Sequence, residues 1–154
     1  MIFIKIIFLD VDGVLNCIEY VKQFGNFGFI VDPVRMEYLK EIVENTGAKI
    51  VLSTSWREYW DKNMINCKEI GFKITETFLE YDLFIYDKTP YINFEREREI
   101  KAWLDSHDTI ANYVVLDDLE MDADFLDGHF VMTHNENGGL CEADVKQAIE
   151  ILNK

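Results

Sequence analysis

The segment IFIKIIFLDVDGVLN, residues 2 to 16, constrains this chain more than any other. Residues 2 to 9 are β-branched, aromatic or aliphatic almost without interruption, as in a central strand covered on both faces. That run ends in two carboxylates, Asp10 and Asp12, one residue apart. An ionised carboxylate is costly to bury, and a second beside it adds like-charge repulsion. Either the pair faces water or something cationic belongs with it.

The remaining pattern alternates strand and helix. Residues 16 to 31, rich in aromatics and broken by Gly25 and Gly28, read as an irregular flap or hairpin. Asp32 and Pro33 open a helix with Met36, Leu39, Ile42 and Val43 at helical spacing, and Gly47 closes it. Residues 48 to 53 (AKIVLS) form a second apolar strand. A helix is expected over 56 to 70, ending at Gly71, with 72 to 74 as a short edge strand. Residues 75 to 93 show no clear period, and Pro90 breaks them. Helix over 94 to 105, strand over 113 to 118, short helix over 119 to 126, strand over 128 to 133 and helix over 142 to 152 complete the chain. In the last helix Val145, Ile149 and Leu152 point inward. Such alternation predicts an α/β domain with a mostly parallel sheet.

Composition narrows the classes. With 154 residues and 49% apolar content, the chain suits one domain with a substantial core. A net charge of −14 opposes an extended nucleic-acid surface but allows a small phosphorylated ligand beside a metal ion. Cys17, Cys67 and Cys141 form no CxxC pair and read as reduced structural thiols. The apolar start is too short for a membrane span and carries Lys5. The expected setting is cytoplasmic, with no membrane partner.

Ligands of open parallel sheets bind beyond the carboxyl ends of the strands. Three predicted strands end in small polar or acidic residues: Asp10-Val11-Asp12, Ser53-Thr54-Ser55 and Asp117-Asp118. Residues two apart on an extended segment share a side, so Asp10 and Asp12 can face one target. Four carboxylates in one crevice call for a cation, and all-oxygen ligation without His or Cys favours Mg²⁺.

The DVDGVLN signature, the strand-end Ser53 and the strand-end Asp117-Asp118, in that order, resemble the haloacid-dehalogenase (HAD) superfamily of phosphohydrolases. VLSTSWR, EREREIKAWL, YVVLDD and NGGL further resemble the branch associated with Swiss Army Knife RNA repair proteins. The resemblance implies a Rossmann-like three-layer sandwich with a five-stranded sheet and a minimal cap. It also implies a Mg²⁺-dependent phosphatase working through an aspartyl-phosphate. Asp10 would be the nucleophile, and Asp12 the general acid and then the base. Ser53 would bind a phosphoryl oxygen. Asp118, supported or joined by Asp117, would complete a Mg²⁺ site with Asp10 and the Asp12 carbonyl.

The resemblance also asks for a Lys or Arg ahead of the Asp-Asp strand, and Arg96, Arg98 and Lys101 are available. Taking Ile100, Trp103 and Leu104 as the buried face, Arg96 lies about 40° from Ile100, Arg98 about 160° and Lys101 about 100°. Helical phase selects Arg96.

Other positions carry weaker signals. Thr54 and Arg57 are candidate substrate-binding residues, Arg57 as a phosphate clamp or a structural ion pair. Tyr20, Phe24, Phe27 and Phe29 could stack on a base or simply pack the flap. Asp122, four residues beyond Asp118, could point back at the site from a helix. His107, His129 and His134 show no ligand spacing. Cys141 is expected to cap the last helix, and residues 135 to 139 to border the site. An uncapped site suits a large substrate such as a polynucleotide end or a phosphoprotein, although the acidity opposes long nucleic-acid contact; the expected substrate is a polynucleotide or nucleotide phosphate end. The rival readings are a small-metabolite phosphatase or nucleotidase, and a non-catalytic phospho-receiver or metal-binding module. A receiver would place adjacent acids on its first strand, and this chain places them late.

Overall fold

A computed structural model describes residues 2–25 and 28–154. Five strands, β1 (Ile4–Leu9), β2 (Lys49–Leu52), β3 (Ile85–Lys88), β4 (Ile110–Asp117) and β5 (Phe130–Met132), pair in the order β3-β2-β1-β4-β5. Every pairing is parallel. The helices are α1 (Ile18–Phe24), α2 (Pro33–Thr46), α3 (Glu69–Leu79), α4 (Arg96–Asp105) and α5 (Glu142–Leu152).

The sheet is covered on both sides, which is why its central strands read as unbroken apolar runs. Ile7, Leu9, Ile50, Leu52, Val114 and Leu116 pack with α2, α3 and α5. The alternate residues Ile6, Phe8, Val51 and Val115 pack with Ile100 and Trp103 of α4 and with Leu126. The result is the three-layer Rossmann-like α/β sandwich expected from the sequence.

Local chemistry sets several boundaries. Asp32 accepts a hydrogen bond from Val34 N at the start of α2, Pro33 fills the first helical position, and Gly47 ends the helix at φ 71°. Asp144 of α5 accepts from the backbone N–H of Cys141, the cap position.

The structure departs from several expectations. Of the flap or hairpin expected over 16–31, the described residues show no hairpin strand and hold α1, while Phe27 lies outside the described residues. The helix expected over 56–70 is instead two 3₁₀ turns, Ser55–Tyr59 and Met64–Asn66, followed by α3. Gly71 lies inside α3 rather than ending a helix, because a Cβ there would fall 2.0 Å from Tyr59 O. The glycine admits a close approach between α3 and the first turn. Residues 72–74 are therefore helical, and the edge strand is β3. Beyond Asp118 only Asp124–Leu126 turns, as 3₁₀, so Asp122 is exposed on an irregular segment and no helix directs it at the site.

Candidate active site

Register brings the chemistry together. Leu9 of β1 pairs with Leu52 of β2 and Leu116 of β4, so the next residues, Ser53, Asp10 and Asp117, stand abreast at the carboxyl edge. The backbone ladder continues through them: Ser53 N–H donates to Leu9 O (3.0 Å) and Asp10 N–H to Leu116 O (3.1 Å).

Asp10, Asp117 and Asp118 each offer an oxygen atom within 4.8 Å of the others. Arg96, at the first turn of α4, is the cation of this cluster. Its Nη1 lies 2.5 Å from Asp117 Oδ2 and 3.6 Å from Asp10 Oδ2. Burial alone would lower the guanidinium pKa, but Asp117 and Asp10 outweigh it and hold the group above its ordinary value. Arg98 and Lys101 instead make exposed pairs with Glu95 and Asp105.

One guanidinium does not balance three carboxylates. Burial first, and then the Asp10 charge, push the Asp117 carboxyl up to about 7 despite Arg96. The same two causes, in the same order, raise Asp118. This excess of negative charge, presented entirely by oxygen atoms, fits a hard divalent cation. Asp10 and Asp118 would hold such an ion, with Asp117 beside them. Asp117 is already engaged on both oxygens, by Arg96 and by Leu119 N–H (2.9 Å).

Asp12 stands apart from that cluster and is exposed. Asn16 Nδ2 donates to Asp12 Oδ1 (3.1 Å), and the Trp56 indole donates to Asp12 Oδ2 (3.0 Å). Asn16 is itself fixed, since it accepts from Gly13 N–H (3.0 Å) and donates to Ile30 O (2.9 Å). Sequence reasoning assigned no role to Asn16 or to Trp56. Asn16 closes the quoted signature four residues beyond Asp12, an available signal. The Trp56 contact depends on tertiary structure.

Ser53 is fully buried, and its Oγ is the one buried side-chain nitrogen or oxygen among the described residues with no hydrogen-bond partner. An orphaned buried hydroxyl is costly unless something completes it. Thr54 and Arg57, the other expected substrate ligands, spend their polar groups on the protein itself in this geometry. Thr54 Oγ1 accepts from Trp56 N–H and caps the following turn. Arg57 is buried, paired with Glu99 Oε2 at 2.7 Å, and spends further donors on Thr89 O (3.1 Å) and Thr54 O (2.8 Å). It is the structural ion pair of the two roles expected for it.

A cavity of about 460 Å³ opens on the Asp12 side, with Asn135 from the loop after β5 on its wall. Of the flap aromatics, Phe29 is buried edge-on to Trp56 (5.8 Å between ring centres), and Tyr20 packs on Phe24 (4.8 Å). His107 and His129 stack on Trp103 and Tyr113 and are not members of the Asp10, Asp117 and Asp118 cluster.

Comparison with known proteins adds one match. A family model described as the HAD domain in Swiss Army Knife RNA repair proteins covers residues 6–145. No curated protein and no solved structure matches the chain.

Proposed function

The chain belongs to the HAD-domain family of Swiss Army Knife RNA repair proteins, hydrolases of phosphatase type, and from that premise we propose a Mg²⁺-dependent phosphomonoesterase that acts on the phosphorylated end of a polynucleotide or nucleotide. The observation that carries this reading is Ser53 Oγ, buried without a partner on the strand end beside Asp10. A phosphoryl oxygen is the acceptor that such a hydroxyl lacks.

The reaction proceeds in two displacements. Asp10 attacks phosphorus, forming a carboxylate O–P bond as the ester O–P bond breaks. Asp12, set by Asn16 and Trp56, gives its proton to the departing oxygen. It then takes a proton from the water that attacks the aspartyl-phosphate, and release of phosphate restores Asp10. Ser53 and Arg96 hold the phosphoryl oxygens and offset their charge through both steps. Mg²⁺, when bound by Asp10 and Asp118, supplies further neutralisation of the transferring group.

No helix among the described residues is long and apolar enough to cross a membrane. A cytosolic setting accords with the free Cys17, Cys67 and Cys141. The net charge of −14 favours contact with a terminus over tracking a long backbone.

Hydrolysis of an aryl phosphate tests the chemistry, run with Mg²⁺, with EDTA and with Asp10→Asn protein. Turnover that needs the ion and disappears in the variant supports the reading. Equal turnover by the variant would sink it. Oligonucleotides bearing 3′- or 5′-phosphates, set against mononucleotides, then test the substrate class.

A further inference from the structure

Arg96 is the first residue of α4, where a helix has no preceding turn to hold it. Its neighbours in sequence do little to fix it. Glu95, at the cap position, makes no side-chain cap hydrogen bond. Asn93 and Phe94 hold φ at 52° and 61°, a left-handed backbone that is costly for such side chains. A strained segment of this kind keeps its shape only where its surroundings impose it. Glu99, buried one turn further along α4, supplies that constraint. Its Oε2 accepts from Ile92 N–H at 2.9 Å and from Arg57 Nη2 at 2.7 Å. Arg57 in turn donates to the carbonyl of Thr54 (2.8 Å), the residue after Ser53, and to Thr89 O (3.1 Å) and Pro90 O (3.4 Å) beyond β3. Thr89 N–H closes the circuit on Leu52 O (2.9 Å), the residue before Ser53.

We propose that Arg57 and Glu99 are positioning residues that hold Arg96 in register with Ser53, acting through the connection 89–95. The inference rests on the phosphatase reading above, in which Ser53 and Arg96 grip one phosphoryl group, and adds two residues to it. Ser53 ends β2 and Arg96 begins α4, so the chain between them runs through α3 and β3. The buried pair ties one end to the other. Ile92 lies before the left-handed residues and Glu99 after them, so the Glu99 carboxylate staples the turn across its base. The same oxygen receives Arg57, which makes the ion pair and the staple a single structure. Apolar side chains of similar volume could fill this space, often at no cost in stability. They could not draw in Ile92 N–H or the carbonyls of Thr54, Thr89 and Pro90. The pair therefore supplies the site with direction rather than stability. A group displaced by about 1 Å can lose much of its effect on a reaction.

The test compares an Arg57→Met, Glu99→Met double variant with the wild type in denaturant melts, in aryl phosphate hydrolysis with Mg²⁺, and in the NMR order parameter of Arg96 Nε–H. The double variant is expected to melt close to the wild type, yet to lose about 10–100-fold in kcat at little-changed KM. Added to Arg96→Met, the same two substitutions should cost less than about twofold further, since the group they position is gone. Arg96 Nε–H, rigid in the wild type, should become mobile in the double variant. Full kcat in a folded double variant, or an equal loss with and without Arg96, overturns the proposal. If the double variant does not fold, Glu99→Gln, which keeps the side-chain shape, is read by the same cycle and the same resonance. Absence of turnover by the wild type counts against the phosphatase reading alone. The Arg96 resonance then decides the positioning, and equal order in wild type and variant overturns it.

Discussion

Asp118 occupies the space that a side chain on Gly13 would need: a Cβ built there falls 2.0 Å from Asp118 Oδ2 and 2.3 Å from its Cγ. Gly13 also holds φ at +86°, a conformation that side chains disfavour. The glycine of the first motif thus admits the acid of the last one to the cluster. Gly13→Ala should fold, with about 1–3 kcal/mol of backbone strain, because Asp118 can swing outward. The cost falls on the cation site. Turnover should drop by about 10²-fold or more, and Mg²⁺ should no longer raise the melting temperature. Thermal denaturation with and without Mg²⁺ checks this, and a wild-type response to the ion would contradict it.

The charge imbalance gives the metal-free protein a definite pH response. Asp117 is raised from 3.8 to about 7, first by burial and then by Asp10. A carboxyl with a higher pKa in the folded state takes up a proton on folding. Its stabilising contribution is complete below 3.8 and is lost as pH rises through about 7. In EDTA the urea midpoint should therefore fall between about pH 4 and pH 7 and level off above that, with Asp118 adding in the same direction. Mg²⁺ favours the ionised carboxylates, so it should restore the midpoint at the upper end, and its affinity should climb over the same interval. An Asp117→Asn variant should show a flatter profile. A midpoint in EDTA as steep in that variant as in the wild type would rule Asp117 out as the cause.

What the sequence disclosed follows from where each signal originates. β1, β2, β4 and β5 were legible because burial on both faces leaves a continuous apolar run, and α2 because Asp32, Pro33 and Gly47 punctuate it. Arg96 was separable from its neighbours by helical phase alone: its side chain is 16% exposed, against 61% for Arg98 and 50% for Lys101. Residues 56–79 resisted because Gly71 acts through a contact with Tyr59 O, which no local period encodes. Arg57 resisted for a related reason. Its partners Glu99, Thr89 and Thr54 come from separate parts of the chain, so only the fold could assign its donors.

That assignment can be tested against the clamp role. The Arg57 and Glu99 side chains are 6% and 2% exposed, and breaking a buried pair leaves one charge uncompensated. Arg57→Met should lower stability by about 3–5 kcal/mol while leaving KM for a phosphorylated substrate near the wild-type value. Arg96→Met should instead reduce turnover by about 10²–10³-fold, as expected for a lost electrostatic contact to the reacting group. Denaturant melts and steady-state kinetics on the two variants separate these roles. A large rise in KM for Arg57→Met at unchanged stability would restore the clamp.

Trp56 allows positioning to be separated from recognition. Its Nε1–H donates to Asp12 Oδ2 at 3.0 Å, while its ring walls the adjoining cavity and meets Phe29 edge-on. Trp56→Phe keeps an aromatic wall and deletes the donor. Asp12 then retains only the Asn16 Nδ2 contact and gains freedom to rotate. A hydrogen bond to a charged group contributes about 1.5–3 kcal/mol, so kcat should fall by about 10–100-fold if that bond fixes the acid. KM should change little, because the phosphoryl contacts from Ser53 and Arg96 are untouched. Trp56→Leu, which removes both the donor and the ring, should raise KM for nucleotides as well. If Trp56→Phe raises KM and leaves kcat unchanged, the indole serves substrate binding and does not orient Asp12.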